Sequence, residues 1–89
     1  MALSRIETIL RYIGANVRRL REERGWSQAD LGEKAGTNRR TIQELELGNG
    51  NPGLRLLITL SGLFRVELTD LFAPATFEKR DAGRPPSKK

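Results

Sequence analysis

Between Ser27 and Leu45 the chain spells two short helices separated by little more than a glycine. Ser27 is a good helix N-cap, and Asp30 is placed to reach back toward it as in a capping box. The helix this predicts runs to Ala35 and ends at Gly36, which takes a left-handed turn without steric cost. Asn38 then caps a second helix whose Ile42 and Leu45 fall on one face and pin it to a core. Ala29, Leu31 and Ala35 put small or apolar groups where the two helices cross closely. The stretch from Ser27 to Glu46 therefore reads as a helix-turn-helix.

The flanking segments are helical as well. Leu3, Ile6, Leu10, Ile13, Val17 and Leu20 recur at steps of three and four, one helical face that ends at Arg24-Gly25. Gly14 leaves two forms open, one long helix or two pieces broken there, because glycine inside a helix costs about 1 kcal/mol against alanine. The conservative boundary starts the domain's first helix near Ile13, with the preceding turns as an extension. Trp26, before the Ser27 cap, is placed to pack on Leu31 as a hydrophobic staple. Gly48-Asn49-Gly50-Asn51-Pro52-Gly53 is loop chemistry, Leu54 to Phe64 is an apolar helix, and Leu68 to Phe72 is a last short one. No strand alternation and no repeat is present. From Pro74 onward the sequence is polar and contains proline, a composition that buries no core. The expected architecture is all-α and compact: an N-terminal helical extension (1–12), a five-helix domain (13–73) and a basic, disordered tail (74–89).

With 89 residues there is room for one domain, and its small core calls for tight helix packing or a partner subunit. Cysteine and histidine are both absent. That removes disulfides, thiolate and imidazole metal ligands, and the usual general base. No cofactor or metal is expected, and the scattered acidic residues form no catalytic pair, so an enzyme is not expected. There is no signal-peptide pattern and no run long enough to span a bilayer, so a cytoplasmic protein without membrane contact is expected. Net charge is +5, the sign of a nucleic-acid partner. Its distribution weakens that argument, since residues 1–72 carry 11 basic and 9 acidic groups and the last 17 residues carry 5 and 2. Placement of the charges has to carry the case.

The motif resembles the lambda-repressor-like helix-turn-helix family, the phage repressor/Cro or Xre type. The likeness extends from Ile13 to Phe72, through Ile13-Gly14-Ala15-Asn16-Val17-Arg18-Arg19-Leu20-Arg21, Ser27-Gln28, Asn51-Pro52 and Val66-Glu67-Leu68-Thr69-Asp70-Leu71-Phe72. The resemblance implies a regulator of double-stranded DNA whose helix from Asn38 enters the major groove N-terminal end first. At 100° per residue Arg40, Gln43 and Glu44 face outward, and Arg39 sits in the turn that points into the groove. The implied base-reading set is Asn38, Arg39, Arg40, Gln43 and Glu44, with arginine forks suited to guanine O6 and N7. Arg40 and Glu44 also stand at i and i+4, so they either read bases or pair on the surface, Glu44 then holding Arg40 in position. The implied phosphate set is Ser27, first of all a cap, with Gln28, Thr41, Asn49 and Asn51; the alternative for Asn49 and Asn51 is a plain turn. Glu46 is expected to pair with Arg21, and Trp26 and Leu31 to be core.

Some positions depart from the family. Arg65 stands where a helix-ending glycine is usual, Glu67 where Ser or Thr caps, and Gly53 where Ser or Thr precedes the fourth helix. Leu56 and Leu63 belong either to a subunit interface or to a larger core. Gly83-Arg84-Pro85 faintly echoes an AT-hook, but Ala82 stands where that motif wants arginine, so a basic tail adding salt-sensitive DNA attraction is the expectation. A homodimer on a two-fold operator is expected, acting as a repressor. The alternatives are an antitoxin that also binds a toxin protein, and a controller of a restriction-modification system.

Overall fold

Ser4 opens the first helix with a closed capping box: its Oγ accepts from Glu7 N, and Glu7 Oε1 accepts from Ser4 N, both at 3.1 Å. The computed structural model describes residues 4–75. They form four α-helices, α1 (Arg5–Glu23), α2 (Gln28–Lys34), α3 (Arg39–Glu46) and α4 (Leu54–Phe64), followed by a 3-10 turn at Leu68–Phe72. No strand occurs among the described residues. The tail with its Gly83-Arg84-Pro85 lies outside the described residues.

Of the two forms open at Gly14, the structure adopts the continuous helix. A Cβ at Gly14 would lie 2.5 Å from the Leu45 carbonyl oxygen and 2.7 Å from that of Glu46. The α1 and α3 backbones are therefore in direct contact, and only glycine fits between them. This contact sets how closely the end of α3 sits on α1.

The expected fifth helix is not an α-helix. At Leu68–Phe72 the chain makes a 3-10 turn, begun by Asp70 Oδ2 accepting from Glu67 N at 2.9 Å. Ala73 before Pro74 is extended (φ −65°, ψ 141°), as the proline ring requires, so the turn cannot grow into a longer helix. Asn16, 3% exposed, fixes this segment from α1: its Nδ2 donates to the carbonyls of Leu71 (3.0 Å) and Ala73 (2.9 Å).

The core joins every element: Ile13, Val17 and Leu20 of α1, Leu31 of α2, Ile42 and Leu45 of α3, Leu57, Leu60 and Phe64 of α4, and Leu71 of the turn. Complete burial of a side chain such as Phe64 or Leu31 contributes about 1.5–3 kcal/mol. Trp26 stacks on Phe64 with centroids 6.1 Å apart, the Lys34 ammonium lies 4.8 Å above Trp26, and the Arg24 guanidinium 5.1 Å above Phe64. Arg24 also donates to the carbonyls of Leu20 and Phe64, tying the end of α1 to the end of α4.

Two departures noted in the sequence have local consequences. Arg65 ends α4 in the left-handed conformation (φ 61°, ψ 45°), and Val66 N donates to Ser61 O at 3.0 Å as in a Schellman cap. Gly53 starts α4 with no side-chain cap. Leu56 and Leu63 are half-buried against the core. The large apolar residues left exposed are Ile6, Leu47, Leu54, Ile58 and Phe72.

Candidate nucleic-acid interface

The α2 start has the predicted form. Ser27 Oγ accepts from Asp30 N and Asp30 Oδ2 accepts from Ser27 N, each at 2.9 Å. Hydrogen bonds from the Ser27 backbone N–H and then its hydroxyl hold the Asp30 carboxyl below the usual carboxylate range. The helix ends with Gly36 at φ +75° and Thr37 N donating to Gly32 O at 2.8 Å.

The tight point of the motif differs from the expected one. Leu31 is buried and Ala35 lies against the core, but Ala29 is exposed. Gly32 makes the close approach: a Cβ there would be 2.7 Å from the Asn38 carbonyl carbon and 3.0 Å from Arg39 N. The start of α3 thus rests directly on the α2 backbone, as its end rests on Gly14. Glycine inside a helical pattern was the readable signal at both positions.

Held at both ends, α3 buries Ile42 (0% exposed) and Leu45 (3%) and turns Arg39, Arg40 and Gln43 to solvent. Asn38 Oδ1 is occupied as the cap, accepting from Thr41 N at 2.9 Å; its Nδ2 has no partner among the described residues. Arg40 Nε lies 3.5 Å from Glu44 Oε2 with the Arg40 side chain still 84% exposed, a pair loose enough to open.

The first turn of α3 carries two adjacent cations and no acid; α4 also lacks an acid there but holds the single Arg55. The first turns of α1, α2 and the 3-10 segment hold Glu7, Asp30 and Asp70, whereas α3 has no acid there and begins Arg39-Arg40. Cations at a helix N-terminus oppose the helix dipole, at about 0.3–1 kcal/mol each. Two exposed guanidiniums are thus placed where they do not serve helix stability.

At the other end of α3, Glu46 is nearly enclosed, its side chain 4% exposed. It accepts from Arg21 Nε at 2.6 Å, from Arg21 Nη2 at 3.0 Å and from Gln28 Nε2 at 3.0 Å. Arg21 Nη1 donates to Trp26 O at 2.8 Å. The hydrogen bond to Glu46 raises the Arg21 pKa above its ordinary value. The expected Arg21–Glu46 pair is present. Gln28, half-buried, spends one amide proton on Glu46, a partner the sequence did not suggest. Thr41, Asn49 and Asn51 share one notch with Glu44, Leu45, Gly50 and Pro52, and Asn49 N donates to Glu44 O at 3.0 Å. Ser27, Asn49 and Asn51 are exposed. The base-reading candidates therefore leave from the first turns of α3, while Gln28 and the 49–51 loop gather beside its end.

No cluster of three or more acidic, histidine or cysteine side chains suited to a metal ion exists among the described residues. No helix of the described chain is long and apolar enough to cross a membrane.

Comparison with known proteins places this geometry. Residues 17–71 match the family model described as Helix-turn-helix, HTH_3. An HTH-type transcriptional regulator of Archaeoglobus fulgidus is 39% identical over 56 residues, 63% of this chain and 80% of that protein. Among solved structures, the restriction-modification controller protein C.AhdI of Aeromonas hydrophila superposes with a TM-score of 0.66 at 30% identity, covering 71% of this chain and 96% of that one. A hypothetical transcription factor, NHTF of Neisseria, shares the fold with a TM-score of 0.72 at 23% identity, over 83% of this chain and 85% of that one. The chain belongs to the Xre or lambda-repressor-like helix-turn-helix family of DNA-binding transcriptional regulators.

Proposed function

We propose that this protein is a sequence-specific repressor that reads the major groove of duplex DNA with the helix at 38–46. The observation that carries this reading is the uncompensated pair Arg39-Arg40 on the exposed first turn of α3, where an approaching polyanion supplies the negative charge the helix lacks. In the groove, each guanidinium is a planar fork matched to guanine O6 and N7, Gln43 matches an adenine edge, and Glu44 either accepts from cytosine or orients Arg40. Asn38 keeps its amide donors for the bases while its oxygen caps the helix. Ser27, Gln28, Thr41, Asn49 and Asn51 hold the flanking phosphates and fix the register without reading sequence.

The active form we propose is a homodimer. The described residues measure 33 × 31 × 24 Å, a width compatible with two copies whose α3 helices lie one turn of B-DNA (~34 Å) apart. Selecting bound sequences from a random duplex pool tests the reading: a two-fold-related site with half-site centres one turn apart is the expected result, and an unenriched pool contradicts it. A second biological setting, control of a restriction-modification system, is favoured by the 30% identity with C.AhdI. A modification methyltransferase gene beside this one and a bound site in their shared promoter distinguish it from a general repressor.

A further inference from the structure

The apolar surface of α4 is wider than its own core uses. Leu57, Leu60 and Phe64 are buried, and Leu56 and Leu63 lie half-buried against the core. Leu54 and Ile58 are left outside it, 59% and 52% exposed. They stand on a row that continues to Gly62, at i, i+4 and i+8 along one side of the helix. A helix that is apolar beyond its core-facing stripe calls for a second cover.

Gly62 is an independent sign of that cover. Glycine inside a helix is less stable than alanine, and at Gly14 and Gly32 a neighbouring backbone excludes any side chain. Gly62 is exposed, and a Cβ there would meet nothing within 4 Å. Nothing among the described residues requires glycine at this position.

The row has the form of a self-complementary contact. In a two-fold pair each side meets its own copy, so every projection needs a matching recess. Ile58 lies midway between Leu54 and Gly62, four residues from each, and no charged residue stands on the row. Two α4 helices laid antiparallel with the axis at Ile58 bring each exposed leucine onto the place where the other copy lacks a side chain.

We propose that α4 is the surface through which two copies of this chain associate, antiparallel about Ile58, with Leu54 of each seated on Gly62 of the other. This rests on the homodimer reading above and names its surface. One helix face covers less than the ~800 Å² per partner of a standard interface. The pair is therefore weak alone and is completed by a duplex that holds both copies together.

The chain has no cysteine, so an introduced thiol is the only one available for disulfide cross-linking, which needs Cα atoms within about 7 Å. With the full chain on a selected duplex under mild oxidation, Ile58→Cys is expected to form a covalent dimer. Leu54→Cys should not, because it stands about 12 Å along the helix direction from its own copy. In sedimentation equilibrium, Ile58→Glu sets two carboxylates face to face and is expected to raise the dissociation constant about a hundredfold. Gly62→Leu should also weaken association, without lowering the melting temperature, since the space around it is open within one chain. Ile6→Glu, the same change at an exposed apolar residue of α1, should associate as the wild type does. Cross-linking of Leu54→Cys in place of Ile58→Cys overturns the proposal, and so does undiminished association of Ile58→Glu and Gly62→Leu. Loss of association in Ile6→Glu alone points to α1 and overturns it as well. Each of these outcomes leaves the homodimer reading standing; a wild-type chain that occupies its selected site as a single copy overturns that reading itself.

Discussion

Arg21 of α1 and Glu46, the last residue of α3, meet in a two-pronged ion pair (2.6 and 3.0 Å) with side chains only 11% and 4% exposed. Arg21 also holds Trp26 O and Glu46 also holds Gln28, so the pair joins the first helix, the motif's entrance and the end of the recognition helix. Removing one partner strands the other in a nearly dry site. Glu46→Ala is expected to cost about 3 kcal/mol, and denaturant unfolding measures it. A loss below 1 kcal/mol would place the pair with ordinary surface ion pairs.

Gly14 separates two physical accounts. Helix propensity alone says that Gly14→Ala stabilises α1 by about 1 kcal/mol. The structure puts the new methyl 2.5 Å from a backbone carbonyl of α3, and such overpacking costs about 1–3 kcal/mol. Net destabilisation, with weaker DNA binding as α3 tilts, is the expected outcome in paired melting and binding assays. A stabilised variant would show that the helices do not touch there.

These glycines also show what the sequence could express. The caps at Ser27 and Asn38 were legible because both partners lie within one turn of chain. Of the residues expected to face outward opposite Ile42 and Leu45, Arg40 and Gln43 are exposed but Glu44 is half-buried, and Arg39, expected to be less outward, is exposed too. The reasons for Gly14 and Gly32 lie in the backbone of another helix, so glycine could be noticed there but not explained. Asn16 is the harder case: its partners Leu71 and Ala73 are 55 and 57 residues away, and nothing local marks it. Trp26 was recognised as core, but its stacking partner Phe64 belongs to α4. The last helix was misjudged in type, because apolar spacing over five residues does not separate a 3-10 turn from an α-helix.

Arg65 carries avoidable strain. A side-chain-bearing residue in the left-handed region costs about 1–2 kcal/mol, partly offset because glycine has more freedom to lose on folding. Arg65→Gly should therefore stabilise the domain by roughly 1 kcal/mol, raising Tm by about 4–8 °C. An unchanged or lower Tm would mean that the arginine side chain makes up the difference.

Acid should weaken the α2 cap. The Asp30 pKa is lowered in the folded chain, so its contribution is complete above the unfolded value of about 3.9. That contribution disappears as pH falls through the lowered folded value. Unfolding free energy followed from pH 6 downward should therefore fall less steeply for Asp30→Asn than for the wild type. Parallel curves would contradict the cap assignment.

The central claim is that α3 carries its first-turn arginines into the groove, and the direct measurement is binding of wild type and Arg40→Ala to a selected site and to its single-base-pair variants. The account predicts a loss of about 1–3 kcal/mol on the selected site, with discrimination abolished at one position and kept at the others. A uniform loss on every sequence, or none, would contradict it.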